Sequence, residues 1–443
     1  MELSTAYSAA NSARPRSYPR VASARLTLLR VLVLAGILGV GIFLRLPPAL
    51  FDTNATALRP VAALHPKAAA KAGYDERLYE IYTDGLIAGG LGSYPDMVSQ
   101  YREHQATLVG SIAPPLRFLY IFAAYVWHTL FGTEALPALH AVAAFFSILT
   151  LLLATLFTAR AKGFNWALGV AALMAFAPTQ LHMSQHALVD GFFAFWATLA
   201  LWALWESLHA PKNWWWLLLL VFGLTAVVLT KENAAFVWIA VLAILISNRW
   251  LNYGVITQQL VGVVFIGPAI GVVILVWLSG SVPDLIATYQ LSVTKNYHLP
   301  AAILTGDGPW YRYLVDLLLV SPIVLLLAIG CFFTLRKENK FEWFLLTFIA
   351  GSYVIMCNIK YGMNLRYANM WDFPLRVLAL CQLPTLARAL PRWRNAFLVA
   401  AVALVGTSEL HSYIRLEVKH PLYELVTLVL MRALDMGKTP SSP

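Results

Sequence analysis

Apolar windows recur along this chain from position 26 almost to its C-terminus. Each runs about 17–25 residues, the length that crosses a hydrocarbon core of roughly 30 Å. Peptide groups find no water in hydrocarbon, so a spanning segment must be a helix or part of a closed barrel. The short alternating segments of a barrel are not visible. Only 12% of the residues are charged and 59% are hydrophobic, whereas about a quarter of a soluble protein is charged. The windows therefore predict an all-α polytopic membrane protein.

The formal charge of +10 does not point to nucleic acid. Lys and Arg fall in short clusters between apolar windows, as they do in cytoplasmic loops of membrane proteins. Cys331, Cys357 and Cys381 lie in or beside apolar windows and read as small core residues, not as a disulfide set or a metal site. The Ser/Ala/Arg-rich stretch 1–25 reads as a disordered cytoplasmic N-terminus. With 26–44 it resembles a signal peptide, but Arg45-Leu46-Pro47-Pro48 lacks the small-residue cleavage pattern, so 26–46 is expected to be a retained first span.

Eleven spans are expected, at 26–46, 136–158, 165–183, 191–206, 214–230, 234–248, 255–278, 313–335, 342–359, 367–387 and 395–410. The basic connections are Arg14 to Arg30, Arg160/Lys162, Lys212, Arg249, Arg336/Lys337/Lys340 and Arg388/Arg392/Arg394. Every second connection is basic, which places these on the cytoplasmic side. The segment 116–132 is short and rich in Tyr, Trp and His, so it is expected to lie in the outer interface rather than to cross. Loops 47–135 and 279–312 then face outward, and long loops in a compact domain are usually functional. The chain thus divides into 1–25, a membrane domain over 26–410, and a tail over 411–443 in which the helical spacing of Leu422, Leu425, Val426, Val429 and Leu430 reads as an interfacial helix.

Several outward-facing residues carry chemistry. Asp75 and Glu76, in GYDERLYEIY, sit at the edge of the bilayer; the plain alternative is a first helical turn that favours acids. Leu78, Tyr79, Ile81 and Tyr82 suit an amphipathic helix on the membrane surface. Asp190 sits at the mouth of a span, where a helix N-cap would also be content. Lys231 follows a span directly; taken alone it reads as a snorkelling lysine, but Glu232 and Asn233 beside it allow a compact cationic pocket for phosphate. The second long loop carries Lys295, His298 and Arg312 among Tyr289, Tyr297, Trp310 and Tyr311, which suits an anionic headgroup and sugar faces or, as plainly, an interfacial anchor belt. No nucleotide-binding glycine motif, Walker A, HExxH or paired-cysteine pattern occurs. Charges inside spans are nearly absent in this reading, which argues against an ion pathway.

Taken in order, these stretches resemble glycosyltransferase family 39, with the protein O-mannosyltransferases and lipid A aminoarabinose transferases, of the GT-C membrane fold. The resemblance is carried by Asp75-Glu76 with Tyr79, by Pro114-Pro115-Leu116 through Leu130-Phe131-Gly132, by Ala187-Leu188-Val189-Asp190 running into Phe192-Phe193-Ala194-Phe195-Trp196, by Thr230-Lys231, and by Pro309-Trp310-Tyr311. It covers roughly residues 30–335, and the specificity lies in five motifs in sequence rather than in any one. Relatives often place a charged residue or His before the Pro-Leu motif; here Ser111-Ile112-Ala113 stands there, and Glu103, His104 and Arg117 are the candidates for that contact.

The resemblance implies a GT-C-type bundle of about eleven transmembrane helices with juxtamembrane helices in the first outer loop. It implies an enzyme of the plasma (inner) membrane that acts on its extracytoplasmic face. The donor would be a polyprenyl-phosphate-linked hexose or pentose, and the acceptor a hydroxyl on a cell-envelope glycan, lipid or protein. Asp75 and Glu76 are the catalytic candidates. Tyr79, Arg117, Asp190, Lys231, Lys295, His298 and Arg312 are the substrate-binding candidates. No metal ligand is assigned, though the resemblance leaves room for a divalent cation. Some relatives have a large soluble C-terminal domain, of which the sequence shows no counterpart, so acceptor recognition is expected to rest on the membrane part and its loops. The alternative is a transporter or flippase of a lipid-linked substrate, but the inverted repeats of that class are not found.

Overall fold

A computed structural model describes residues 24–50, 62–67, 72–360 and 362–436, and every regular element among them is helical. The expectation for 1–25 lies outside the described residues up to position 23, and positions 51–61 and 68–71 of the first long loop lie outside them as well. Ala135–Lys162, Val189–His209, Ala234–Leu251, Gln258–Ser279 and Pro391–Lys419 are long and apolar enough to cross a membrane. Shorter apolar helices cover much of the remaining expected spans, among them Leu28–Phe43, Trp214–Thr230 and Pro322–Thr334.

The bundle is built by close helix pairs. Trp214–Thr230 lies between Val189–His209 and Gln258–Ser279, Ala234–Leu251 lies on Lys340–Met356, and Pro322–Thr334 lies on Asp372–Leu386. Lipid gives no hydrophobic drive for such pairing, so tight contact has to supply it. Gly351 shows how: a Cβ there would stand 2.9 Å from Ala240 Cα.

Two expected spans are broken. The window 165–183 splits into Phe164–Ala175 and Pro178–Gln185. The break frees carbonyls inside the bundle, and buried Arg45 takes them: its guanidinium donates to Met174 O at 2.7 Å, Ala175 O at 3.1 Å and Gly41 O at 2.8 Å, and to Ser147 Oγ at 3.1 Å. A cation at a helix C-terminus also meets the negative end of its dipole. The window 313–335 splits into Arg312–Val320 and Pro322–Thr334, because Pro322 lacks the N–H that would continue the helix.

Charges inside the bundle are more numerous than expected. Arg376 pairs with Asp372 at 2.7 Å and with Glu409, and donates to Leu173 O at 3.2 Å. Window averages hide such residues because each is paired and faces a helix, not lipid. The tail also departs from expectation. Among its described residues Ile414–Lys419 forms a π turn, and beyond that turn Thr427–Ala433 is α-helical. The stretch between them returns to the body, where Leu365 N–H donates to Leu425 O at 3.1 Å.

The segment expected in the interface forms the helix Phe118–Phe131, closed by Gly132 in the left-handed region at φ 67°. Its 14 residues span about 21 Å, short of a full crossing.

Candidate active site

The first long loop folds as two helices, Tyr74–Gly89 and Tyr94–Thr107. Glu76 starts the first by accepting from Gly73 N–H at 2.5 Å, a capping-box contact that satisfies an orphan donor. Tyr79, Tyr82 and Leu86 form its buried face. Three tyrosines of these helices then fix the Pro-Pro segment. Tyr82 donates to Ala113 O at 2.7 Å, Tyr101 to Ile112 O at 3.1 Å, and Tyr94 to Pro115 O. That clamp delivers Arg117 to the start of the next helix.

Helix ends from distant parts of the chain meet here. Asp190 lies in the first turn of Val189–His209 and Lys231 follows Trp214–Thr230; Lys231 Nζ donates to Asp190 Oδ1 at 2.6 Å, with both side chains buried. The ammonium also stands 3.8 Å from the centre of the Tyr367 ring. Burial lowers the Lys231 pKa below its ordinary value, with Asp190 pulling it back up. Arg366 joins this pair to the first loop. Its Nη2 donates to Asp75 Oδ2 at 3.1 Å and lies 3.5 Å from Glu424 Oε1, while its Nε is 4.0 Å from Asp190 Oδ2. Arg366 Nε and Nη1 are buried and make no hydrogen bond.

Asp75 and Glu76 are adjacent but live in different surroundings. The Asp75 side chain is 22% exposed, against 4% for Glu76 and 5% for Asp190, so Asp75 is the open carboxylate of the three. Its backbone N–H donates to Tyr423 Oη at 2.9 Å. Glu76 is turned inward: Oε1 accepts from Ala187 N–H at 2.8 Å and faces His186 Nδ1 at 3.4 Å and His140 Nε2 at 3.9 Å. Burial alone would raise the Glu76 carboxyl; the His186 hydrogen bond and charge, the Gly73 N–H and His140 outweigh it and hold the pKa at about 2. Glu76 is thus a buried carboxylate with both oxygens engaged.

Tyr79 and Arg117 form a neighbouring unit. Arg117 donates to Tyr79 Oη and grips Glu232, with Nη2 to Oε1 at 2.7 Å and Nε to Oε2 at 3.4 Å. Asp75, Glu76, Tyr79, Arg117, Asp190 and Lys231 are therefore brought together. The second long loop is directed elsewhere. Lys295 donates to Ala106 O at 3.0 Å and to Leu108 O, tying the two loops together. His298 is exposed. Arg312 donates to the Asp307 and Thr305 carbonyls and lies 3.8 Å from Asp316, so its cation holds a turn.

The sequence reading missed Arg366, Tyr367, Tyr423 and Glu424, and the histidines His140, His182 and His186 with Glu417. Arg366 precedes the expected span 367–387 and Tyr367 opens it, and neither gave a motif. His182 and His186, four apart in the helix-to-turn stretch LHMSQH, did carry a visible spacing.

Residues 115–282 match the family model described as dolichyl-phosphate-mannose-protein mannosyltransferase. No curated protein matches the chain. Among solved structures, ArnT from Cupriavidus metallidurans bound to undecaprenyl phosphate superposes with a TM-score of 0.51 at 14% identity, over 93% of this chain and 78% of that one. The archaeal oligosaccharyltransferase AglB from Archaeoglobus fulgidus, in complex with an inhibitory peptide and a dolichol-phosphate, superposes with a TM-score of 0.55 at 13% identity. That likeness covers 93% of this chain and 56% of AglB, just over half its length. The structural matches show the GT-C membrane fold, and the family model takes in the Pro-Leu segment, the stretch through Asp190 and Thr230-Lys231.

Proposed function

We propose that this GT-C membrane fold is a glycosyltransferase that moves a sugar from a polyprenyl-phosphate donor to an acceptor hydroxyl on the extracytoplasmic side. The observation that carries the reading is the open Asp75 carboxylate held by Arg366, which reaches on to the buried Asp190–Lys231 pair. A base open to an acceptor thus stands beside two cations suited to a leaving phosphate.

In this mechanism Asp75 takes the proton of the acceptor hydroxyl. The freed oxygen pair forms the bond to the anomeric carbon from one face, and the bond to the phosphate oxygen breaks on the other. Lys231 and the unengaged Nε and Nη1 of Arg366 meet the charge that develops on the phosphate. Fixed cations in a water-poor cleft stabilise such charge without reorganising. Asp190 holds Lys231 in place, and apolar helices beside the cleft take the prenyl chain.

Charge distribution supports the side. Arg160 pairs with Glu206 and Lys162 with Glu342, so the ends of three helices gather around basic residues away from the cleft. Excess Lys and Arg mark the cytoplasmic side, which supports a cleft facing outward with the Phe118–Phe131 helix in the outer interface.

The test is an assay in detergent with undecaprenyl-phosphate-linked hexoses and pentoses and envelope glycan, lipid A or peptide acceptors. Sugar transfer without any sealed compartment is the expected result. Movement of lipid-linked sugar across sealed vesicles with no transfer in micelles would replace the enzyme by a transporter. Mass spectrometry of surface glycans with and without the protein then identifies the acceptor.

A further inference from the structure

Beneath Asp75 lies a second cluster that the proposed transfer does not use. His182 and His186 come from the stretch that begins with the helix Pro178–Gln185, and Glu417 comes from the turn Ile414–Lys419. One nitrogen of each imidazole and one Glu417 oxygen all lie within 4.8 Å of one another. His182 Nδ1 is 2.7 Å from Glu417 Oε1, and His186 Nε2 is 3.8 Å from Glu417 Oε2. His182 and Glu417 are both about fully buried, and the Oε2 of Glu417 carries no hydrogen bond although it faces His186.

We propose that His182, His186 and Glu417 bind a divalent transition-metal ion of the Zn2+ class. Imidazole nitrogens with one carboxylate are a known ligand set for such ions, and three protein ligands leave a fourth tetrahedral position. Ligand atoms about 2.1 Å from a tetrahedral ion stand about 3.4 Å apart. The 3.8 Å separation between His186 Nε2 and Glu417 Oε2 is too long for a hydrogen bond and closes to that value with a small inward shift. The surroundings favour it. Glu76 Oε1 faces the other nitrogen of His186, Nδ1, at 3.4 Å, and a carboxylate there keeps the proton on Nδ1 and turns the Nε2 lone pair toward the ion. Binding displaces any proton on Nε2, and the dication takes over as counter-charge between the two glutamates.

The ion would fasten the tail to the bundle next to the cleft. Tyr423 and Glu424 follow Glu417 by a few residues and touch Asp75 and Arg366. The ion thereby positions the residues around the open carboxylate. The inference stands independently of the transferase reading, because its readout is metal content.

The full chain, purified in detergent, is stripped with EDTA, exposed to ZnCl2, gel-filtered and measured by mass spectrometry of the metal. The wild type is expected to hold about one Zn2+ per chain and to melt at a higher temperature with zinc than without. Glu417→Gln and His186→Asn are expected to lose at least about tenfold in zinc affinity, while Glu424→Gln, beside the cleft, keeps it. Loading the wild type with Co2+ should give the intense visible bands of a tetrahedral site, a readout that needs no variant. Zinc retained equally by wild type and both ligand variants, or a Co2+-loaded wild type without those bands, would overturn the proposal.

Discussion

Arg366 Nη2 donates to Asp75 Oδ2 at 3.1 Å, joining residues 291 positions apart in the chain. The contact ties the first long loop to the start of a distant helix. Arg366 is buried among Asp75, Asp190 and Glu424, and it is the group through which the first long loop meets the helix ends that carry Asp190 and Lys231. Glu424, whose Oε2 also accepts from Asn364, is a second carboxylate at the rim, supplied by the tail.

Asp75→Asn keeps the shape of the side chain and removes the base. Transfer is expected to fall by about 10²–10⁴-fold, the usual worth of a positioned general base, with binding of undecaprenyl phosphate unchanged. Steady-state rates and a lipid-binding titration on the same preparation check both halves. Unaltered turnover would remove Asp75 from the role.

Arg366→Ala leaves three carboxylates facing one another in a buried site. Breaking a buried pair by removing one partner costs about 3–5 kcal/mol; the partial exposure of Asp75 and Glu424 puts the expectation near the lower end, about 3 kcal/mol. Thermal melts in detergent read the loss. Arg366→Lys keeps the charge without the fork and is expected to recover part of the stability while turnover stays low.

Lys231 and Asp190 are coupled at 2.6 Å. Lys231→Met and Asp190→Asn are each expected to destabilise by about 3 kcal/mol, and the double variant by clearly less than the sum, because neither then leaves an unpaired charge. Lys231→Met also raises the KM for the lipid-linked donor. Strict additivity in the melts, with donor affinity unaltered, would reduce Lys231 to an anchoring lysine.

Arg45 serves as a control remote from the proposed chemistry. Arg45→Leu removes the guanidinium from Ala175 O and from Met174 O, of which Met174 O keeps the Ala177 N–H at 3.3 Å, and leaving a buried acceptor unsatisfied costs about 1–3 kcal/mol. The melting temperature is expected to fall while the KM for donor stays at the wild-type value. A change in KM without loss of stability would contradict the structural role.

Gly351→Leu tests the helix contact. Its side chain would push against the backbone of Ala240. Overpacking of this kind costs about 1–3 kcal/mol, read as a lowered melting temperature with turnover per folded molecule unaltered.

The membrane class, the helical content and a long first loop carrying Asp75 and Glu76 could all be read along the chain. Each depends on local quantities: window hydropathy, the number of residues a bilayer demands, and basic residues counted between windows. Breaks in the helices were less visible. Pro178 and Pro322 stood in apolar windows, but whether a proline kinks or ends a helix depends on what takes the freed carbonyls, and Arg45 comes from 130 residues before Ala175. The motifs singled out Asp190 and Lys231 and left open whether Asp190 orients Lys231 or a loop base; the 2.6 Å contact shows the former pairing. The tail was partly legible: the spacing of Val429 and Leu430 falls in the helix Thr427–Ala433, whereas the return of Tyr423 and Glu424 to Asp75 and Arg366 depends on contacts made far away in sequence.

The sequence by itself determined that this chain is a helical membrane bundle with acids and bases at loop and helix ends, because the bilayer enforces length, apolarity and internal hydrogen bonding on every span. Only the tertiary structure decided which of those charges meet. Coulombic and hydrogen-bond partners act over a few ångströms in space, and the folded bundle sets those distances among Asp75, Arg366, Asp190 and Lys231 without leaving a local pattern in the chain.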